Sequence, residues 1–287
     1  MDTYHFKNNI EMAISAQQVK ELRGITGSGM MDCKKALSEA NGDMEQAIDL
    51  LRKKGQKISA KRADRDASEG LVFAYVSDDQ TEGIGFTLNC ETDFVAKNDD
   101  FSILGNKFLD AAKAEKPATA DALKALTVDG RTVEEHITEM TGRIGEKIEI
   151  SQYAYLKGEQ VVAYLHGGSI GVLVSLVNAN GEASEEAGKN IGMQIASMNP
   201  LAVDENGIDT TVVEREKQVG LDKAKEEGKP ANILERIAEG FVKKFYQDNT
   251  LLNQKYVKND KETVKQYLNG VNKGLTVKEF ARLSIGR

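Results

Sequence analysis

The chain has 287 residues, a formal net charge of −7, and 29% charged residues. That length can hold two or three modules and a sizeable core, while the acidic balance argues against wholesale nucleic-acid binding. Two cysteines far apart, no tryptophan and no long apolar run leave no case for a structural disulfide, a zinc site or a membrane span.

Residues 1–13 are expected to be a disordered extension. The first eleven lack the apolar middle of a signal peptide, and Met12 reads as the usual start. Ser15-Ala16-Gln17-Gln18 fits the capping-box pattern and opens a helix with Val19 and Leu22 inward, which the Gly24–Gly29 stretch breaks. A second helix over about Gly29–Ala40 places Met30, Cys33, Ala36, Leu37 and Ala40 inward. Adjacent Met30 and Met31 cannot both face one core, so at least one is exposed. Asn41-Gly42 turns the chain, and Asp43 caps a third helix with Met44, Ala47, Ile48 and Leu51 on one stripe. These three helices form a module over 14–55. Gly24, Gly27 and Gly29 follow no strand and precede no Gly-Lys-Ser/Thr, so they read as turn residues rather than a phosphate loop. Between Arg52 and Arg65, seven basic residues (Arg52, Lys53, Lys54, Lys57, Lys61, Arg62 and Arg65) face one acid, Asp64. No aromatic side chain interleaves them for base stacking, so a solvated helix end or linker, 56–68, is favoured over an RNA site.

The core opens with a β-hairpin, Leu71–Val76 and Ile84–Cys90 around a turn at 77–80. Ile84, Phe86, Leu88 and Cys90 alternate with Gly85, Thr87 and Asn89, the pattern of a half-buried strand. From there Phe94, Phe101, Leu104, Phe108 and Ala111 make one helical stripe, with Thr92 or Asp93 as its N-cap. On periodicity Phe94 is the first core residue of that helix. The alternative is an exposed ring at a corner between two rigid elements.

Helical patterns follow at 119–126 and 132–145, then strands at Ile148–Tyr155, Val161–Leu165 and Gly171–Val177. A helix over Ser184–Met198 stops before Pro200. The two halves echo each other. Ala74-Tyr75-Val76 and Ile84-Gly85-Phe86, then a helix, correspond to Ala163-Tyr164-Leu165 and Ile170-Gly171-Val172, then a helix. The fold class is therefore α+β, with two related subdomains at 69–147 and 148–287. The second carries an inserted antiparallel helical hairpin at 210–246, turned by Gly228-Lys229-Pro230. Val212, Val219 and Ala224 line one arm; Ile233, Ile237, Phe241 and Phe245 line the other. A short helix at Thr263–Asn269 and a strand at Phe280–Ile285 complete the second sheet.

His5, His136 and His166 are scattered, and no HExxH, GxSxG or Walker pattern occurs. The reading is a binding protein rather than an enzyme, with no cofactor and no metal site.

Two strings resemble the signatures of bacterial elongation factor Ts, a family of guanine-nucleotide exchange factors for elongation factor Tu. One is Asn89-Cys90-Glu91-Thr92-Asp93-Phe94-Val95-Ala96-Lys97. The other is Lys20-Glu21-Leu22-Arg23 followed by Thr26-Gly27-Ser28-Gly29-Met30-Met31-Asp32-Cys33-Lys34-Lys35-Ala36-Leu37. The resemblance runs from about Ile14 to the C-terminus. It implies that the three-helix module is UBA-like, that the hairpin is a coiled-coil protrusion, and that the protein works in the bacterial cytoplasm. It implies elongation factor Tu as partner, GDP-bound and nucleotide-free, with no membrane and no direct nucleic acid. The resemblance assigns Thr92, Asp93, Phe94 and Val95 to disturbing the partner's Mg²⁺ and phosphate site. Arg23, Met30 and Met31 of the module, and His166 and Gly167 of a core loop, also meet the partner. On this reading Phe94 is a wedge rather than a core residue. Longer family members continue into a further C-terminal helix that holds the partner, whereas the resemblance here ends at Arg287. The sequence leaves oligomeric state open and is compatible with a homodimer. The alternative function is an RNA- or ribosome-associated adaptor using the module and its basic stretch.

Overall fold

The structure, a computed structural model, describes residues 14–286; the expected extension, residues 1–13, lies outside them. The chain starts with α1 (Ala16–Thr26), α2 (Met30–Glu39) and α3 (Met44–Arg62). The Ser15 hydroxyl accepts from the Gln18 amide at 3.2 Å, and the Gln18 side chain accepts from the Ser15 amide at 3.0 Å. This is the reciprocal cap that the first residues predict. Gly27, with φ 63, ends α1 in the left-handed region. Val19, Leu22, Cys33, Ala36, Leu37, Ala40 and Ala47 form the small core of the module.

Two details differ from expectation. Met30 sits on the outer face of α2, which turns Cys33, Ala36 and Leu37 inward. The third helix also runs on through the expected linker to Arg62. The Lys, Gln and Arg residues there are good helix formers, and no proline interrupts them.

The first half of the core contains β1 (Glu69–Val76), β2 (Glu82–Cys90), the single turn α4 (Asp93–Ala96) and α5 (Asp99–Glu115). Next come α6 (Ala120–Ala125), a ribbon of β3 (Thr127–Val128) and β4 (Arg131–Thr132), α7 (Val133–Ile144) and β5 (Ile148–Lys157). The sheet order is β1-β2-β5, antiparallel throughout. The expected subdomain boundary at 147/148 puts β5 with the second half, whereas its strand partner lies in the first. Strand β5 pairs with β2, Cys90 opposite Ile148 and Ile84 opposite Tyr155. Alternation marks the two faces of a strand but not the sheet it joins.

The second half contains β6 (Gln160–His166), β7 (Ile170–Val177), α8 (Gly181–Met198), and the hairpin arms α9 (Thr210–Glu226) and α10 (Ala231–Asn249). A ribbon of β8 (Lys255–Tyr256) and β9 (Asn259–Thr263), then α11 (Val264–Val271) and β10 (Thr276–Ser284), complete it. Its sheet order is β10-β7-β6. In both halves a hairpin leads into a long helix, and a later helix returns the third strand to the hairpin's second strand. The echo in the sequence is a repeat in the fold.

The two sheets meet through small side chains, Ala74, Ala154, Ala163 and Ala281 around Leu156, Val161 and Leu173. Main-chain bonds join them as well, Val161 N to Gln80 O at 2.6 Å and Val72 N to Gly168 O at 2.9 Å. Strand β2 is consequently buried on both faces, not half-buried. Phe86 and Leu88 belong to the core under the helices. The alternate residues Thr87 and Asn89 are also buried, and they bond to Ser151 and to the Ala67 carbonyl. In the inserted hairpin Ala224 and Ala238 are buried at the seam, while Val219 of the expected row faces outward.

Candidate functional site

Strand β2 ends where Cys90 pairs with Ile148. One residue further the ladder is continued by side chains. The Glu91 carboxylate accepts from the Lys147 amide at 2.6 Å. In return the Glu146 carboxylate accepts from the Thr92 amide at 3.1 Å and from its hydroxyl at 2.9 Å. Arg62, the last residue of α3, donates to both oxygens of Glu91 at 3.1 and 3.3 Å. Thr92 is extended, with φ −127 and ψ 153, and caps α4 without a side-chain cap bond. Its hydroxyl serves Glu146 instead.

The chain then starts a second helix. Asn98 accepts from the Asp100 amide at 2.9 Å and caps α5. The single helical stripe expected from Phe94 to Ala111 is therefore two helices with a break at Lys97-Asn98. That break takes Phe94 off the line of Phe101 and Phe108. Phe94 is 83% exposed and Phe101 is 0% exposed. Val95 and Ala96 fill the inner side of the turn. Val95, grouped with the contact residues, is thus a core side chain whose role is to seat the turn.

Lys97 pairs with Asp93 at 2.6 Å. The hydrogen bond from the Lys97 ammonium, then its charge, holds the Asp93 carboxyl below the usual range, so it is anionic at neutral pH. Behind the corner Cys90 donates to the Thr92 carbonyl at 3.2 Å. Burial first, then the Glu146 charge, pushes its thiol up to about 12. It is a packing residue, not a nucleophile.

The tip between β6 and β7 is His166-Gly167-Gly168-Ser169. Gly167 and Gly168 have φ 58 and 74, and the Ser169 amide bonds to the His166 carbonyl at 3.2 Å. Two successive positive φ values are what a tight hairpin turn demands, and glycine adopts them without steric cost. His166 and Gly167 are exposed. The Tyr164 hydroxyl lies 3.1 Å from His166 Nδ1. The tip is tied to β1 by Val72 N to Gly168 O at 2.9 Å. Since α4 also packs on β1, the corner and the tip adjoin one strand.

Arg23 lies in the last turn of α1, and Met30 and Met31 open α2. Both methionines are open to solvent, at 60% and 74%. The module is mounted on α7, where α3 crosses at Gly55 and Gly142; a Cβ on Gly142 would lie 2.4 Å from the Gly55 Cα. Arg143, next in α7, lies against Gly27 and pairs with Asp100 of α5 at 3.1 Å. Helix α7 and the turn after it therefore support both groups. Arg143, Glu146 and Arg62 escape a sequence reading, since Glu146 lies 54 positions from Thr92 and no periodicity links them.

Part of the basic stretch is committed internally. Lys54 pairs with Asp32, Arg52 with Asp49, and Arg62 with Glu91. Several charges lining the cleft between α3 and α7 are likewise paired, Arg131 with Glu139 and Arg143 with Asp100 among them. Among the described residues no group of three or more His, Cys, Asp or Glu is placed to hold a metal ion. No helix among them is long and apolar enough to cross a membrane.

A family model described as Elongation factor TS matches residues 91–287. The elongation factor Ts of Amoebophilus asiaticus (strain 5a2) is 50% identical over 276 residues, 96% of this chain and 100% of that protein. That of Cytophaga hutchinsonii is 50% identical over 274 residues, covering 95% and 99%. That of Christiangramia forsetii is 47% identical over 273 residues, covering 95% and 99%. Matched along nearly its whole length by relatives of that name, this chain belongs to the elongation factor Ts family of translation elongation factors.

Proposed function

We propose that the protein is a guanine-nucleotide exchange factor for elongation factor Tu, acting by contact without a covalent step. The observation that carries this reading is Phe94, an aromatic ring 83% exposed on a one-turn helix whose Val95 and Ala96 are seated in the core. An exposed ring of this size has no use in its own fold, and it is rigid enough to enter another. Asp93 beside it carries a fixed negative charge. The pair enters the partner next to its Mg²⁺, displaces the segment that supports the ion's water shell, and loosens the phosphate end of GDP. Since Mg²⁺ carries much of the charge compensation for a diphosphate, disturbing it weakens nucleotide binding at its source.

Phe94 does not suffice alone. A ~10⁴-fold faster release takes about 5.5 kcal/mol off the barrier, whereas burying one phenylalanine supplies roughly 1.5–3 kcal/mol. Arg23, Met30 and Met31 on the module and His166 and Gly167 at the hairpin tip supply further contacts. Methionine suits such a surface because its thioether chain adapts to the shape it meets. By linkage, the factor by which this protein weakens GDP binding is the factor by which GDP weakens its own binding. It therefore leaves once nucleotide is abundant.

Stopped-flow release of fluorescent GDP from elongation factor Tu, with and without this chain, tests the proposal. The chain accelerates release and Phe94→Ala loses much of the acceleration. No acceleration by the unaltered protein rules out the exchange reading, and full acceleration by Phe94→Ala rules out the wedge.

A further inference from the structure

A wedge works only if it is aimed, and α4 is too short to aim itself. Its four residues, Asp93–Ala96, make a single turn, closed by Ala96 N to Thr92 O at 3.3 Å, Lys97 N to Asp93 O at 3.0 Å and Asn98 N to Val95 O at 3.0 Å. The Thr92 hydroxyl does not cap it. What holds the entry to the turn is the exchange of carboxylates just beyond the β2–β5 ladder. Glu91 takes the amide of Lys147, and Glu146 takes the amide and hydroxyl of Thr92. Charged acceptors make shorter and stronger bonds than neutral ones, and Glu146 grips the residue immediately before α4. Arg62 then locks Glu91 to the end of α3.

We propose that Glu146 is a positioning residue for exchange: through Thr92 it fixes the direction in which Phe94 leaves the core. The proposal rests on the wedge reading of Phe94. The bonds of Glu146 run to Thr92. It acts by keeping the ring in one orientation before contact, so that ordering the turn is not charged against the encounter.

The test uses the full chain and four variants: Glu146→Ala, Glu146→Gln, Phe94→Ala, and Glu146→Ala combined with Phe94→Ala. GDP release from elongation factor Tu is followed over a range of exchange-factor concentrations. Glu146→Ala should lower the maximal release rate about tenfold, while the half-saturating concentration, set by the wider interface, moves less than about twofold. Glu146→Gln keeps a carbonyl acceptor and should fall between. In the Phe94→Ala background the second change should add nothing, because a residue acting through the ring has no effect once the ring is gone. Additive losses would show that Glu146 serves the fold generally and would overturn the proposal. Slow release by Phe94→Ala with normal release by Glu146→Ala would overturn it and leave the wedge standing. Normal release by Phe94→Ala would overturn both. If Glu146→Ala folds poorly, Thr92→Val removes only the hydroxyl donor. It should lower the maximal rate in the same direction by a smaller factor, and an unchanged rate there would equally overturn the proposal.

Discussion

The two halves of the core reach the same corner and finish it differently. In each, the central strand of a three-stranded sheet ends and a long helix begins: β2 to α5, and β7 to α8. At the second corner the connection is closed by polar bonds. The Asn178 amide donates to Glu159 at 2.6 Å, its side chain donates to the Gly274 carbonyl at 2.9 Å, and the Asn180 amide donates to Ser184 at 2.7 Å. Ala179, its apolar side chain, packs on the core, and α8 starts at once. The first corner inserts a separate turn and exposes Phe94 on it. The repeat therefore separates what the architecture requires from what has been added. A tight polar connection is enough for the fold, so the extra turn and its exposed ring are what the proposed exchange contact has to explain.

The largest expected effects lie just past the two corners and should be alike. Phe101→Ala in α5 and Ile191→Ala in α8 each empty a fully buried site and should cost about 3–5 and 2–5 kcal/mol of stability respectively. Denaturant unfolding of each variant would show it. At the corners the halves should part. Phe94→Ala should leave stability within about 0.5 kcal/mol, yet slow GDP release by roughly tenfold or more, in proportion to the apolar contact it surrenders. A large stability loss would instead show that the ring supports its own fold. A smaller effect separates the helices that return the third strands. Only α7 carries a docked module, and Gly142→Ala places a Cβ 2.4 Å from the Gly55 Cα. That should cost upwards of about 1 kcal/mol by forcing α3 outward, with faster proteolysis near Arg62. No comparable close approach constrains Gly270 of α11, so Gly270→Ala should be neutral.

How far these differences can be read from residues alone depends on which residues report them. The helices and strands were legible because buried side chains recur at their periods, and the repeat was legible because its apolar triplets recur in order. The break between α4 and α5 is hidden from periodicity. Phe94 and Phe101 stand seven apart and would share a stripe on one helix. Asn98 followed by Asp99 and Asp100 was the available sign of a fresh helix start. The placement of β5 was equally hidden, since pairing across the chain depends on which neighbour is vacant. Exposure of Phe94 was anticipated from the family resemblance and not from spacing. Glu146 had no signal at all, because a hydrogen bond to a backbone amide requires only an acceptor in reach and imposes no pattern.

The smallest effect concerns the two hairpin tips and runs through pH. The β1–β2 tip is pinned by carboxylates. Asp79 is held at about 2 chiefly by the Ser77 hydroxyl, then by the amide and hydroxyl of Thr81. Glu82 is lowered from 4.5 to about 2 chiefly by Lys116, then by Lys157. The β6–β7 tip relies on glycine geometry and has no carboxylate. A group whose folded pKa is depressed adds stability above its unfolded value and loses it as pH falls through the folded value. The first tip should therefore loosen between about pH 4.5 and pH 2, the window set by Asp79 and Glu82. Amide exchange corrected for intrinsic rates should rise there at Gln80, Thr81 and Glu82, while Ser169 in the second tip keeps its protection. Both carboxylates are near solvent, so salt should weaken the Lys116 and Lys157 contribution and leave the hydroxyl bonds of Asp79 largely intact. Equal loosening of both tips in acid would mean that global unfolding, and not these two carboxylates, governs the response.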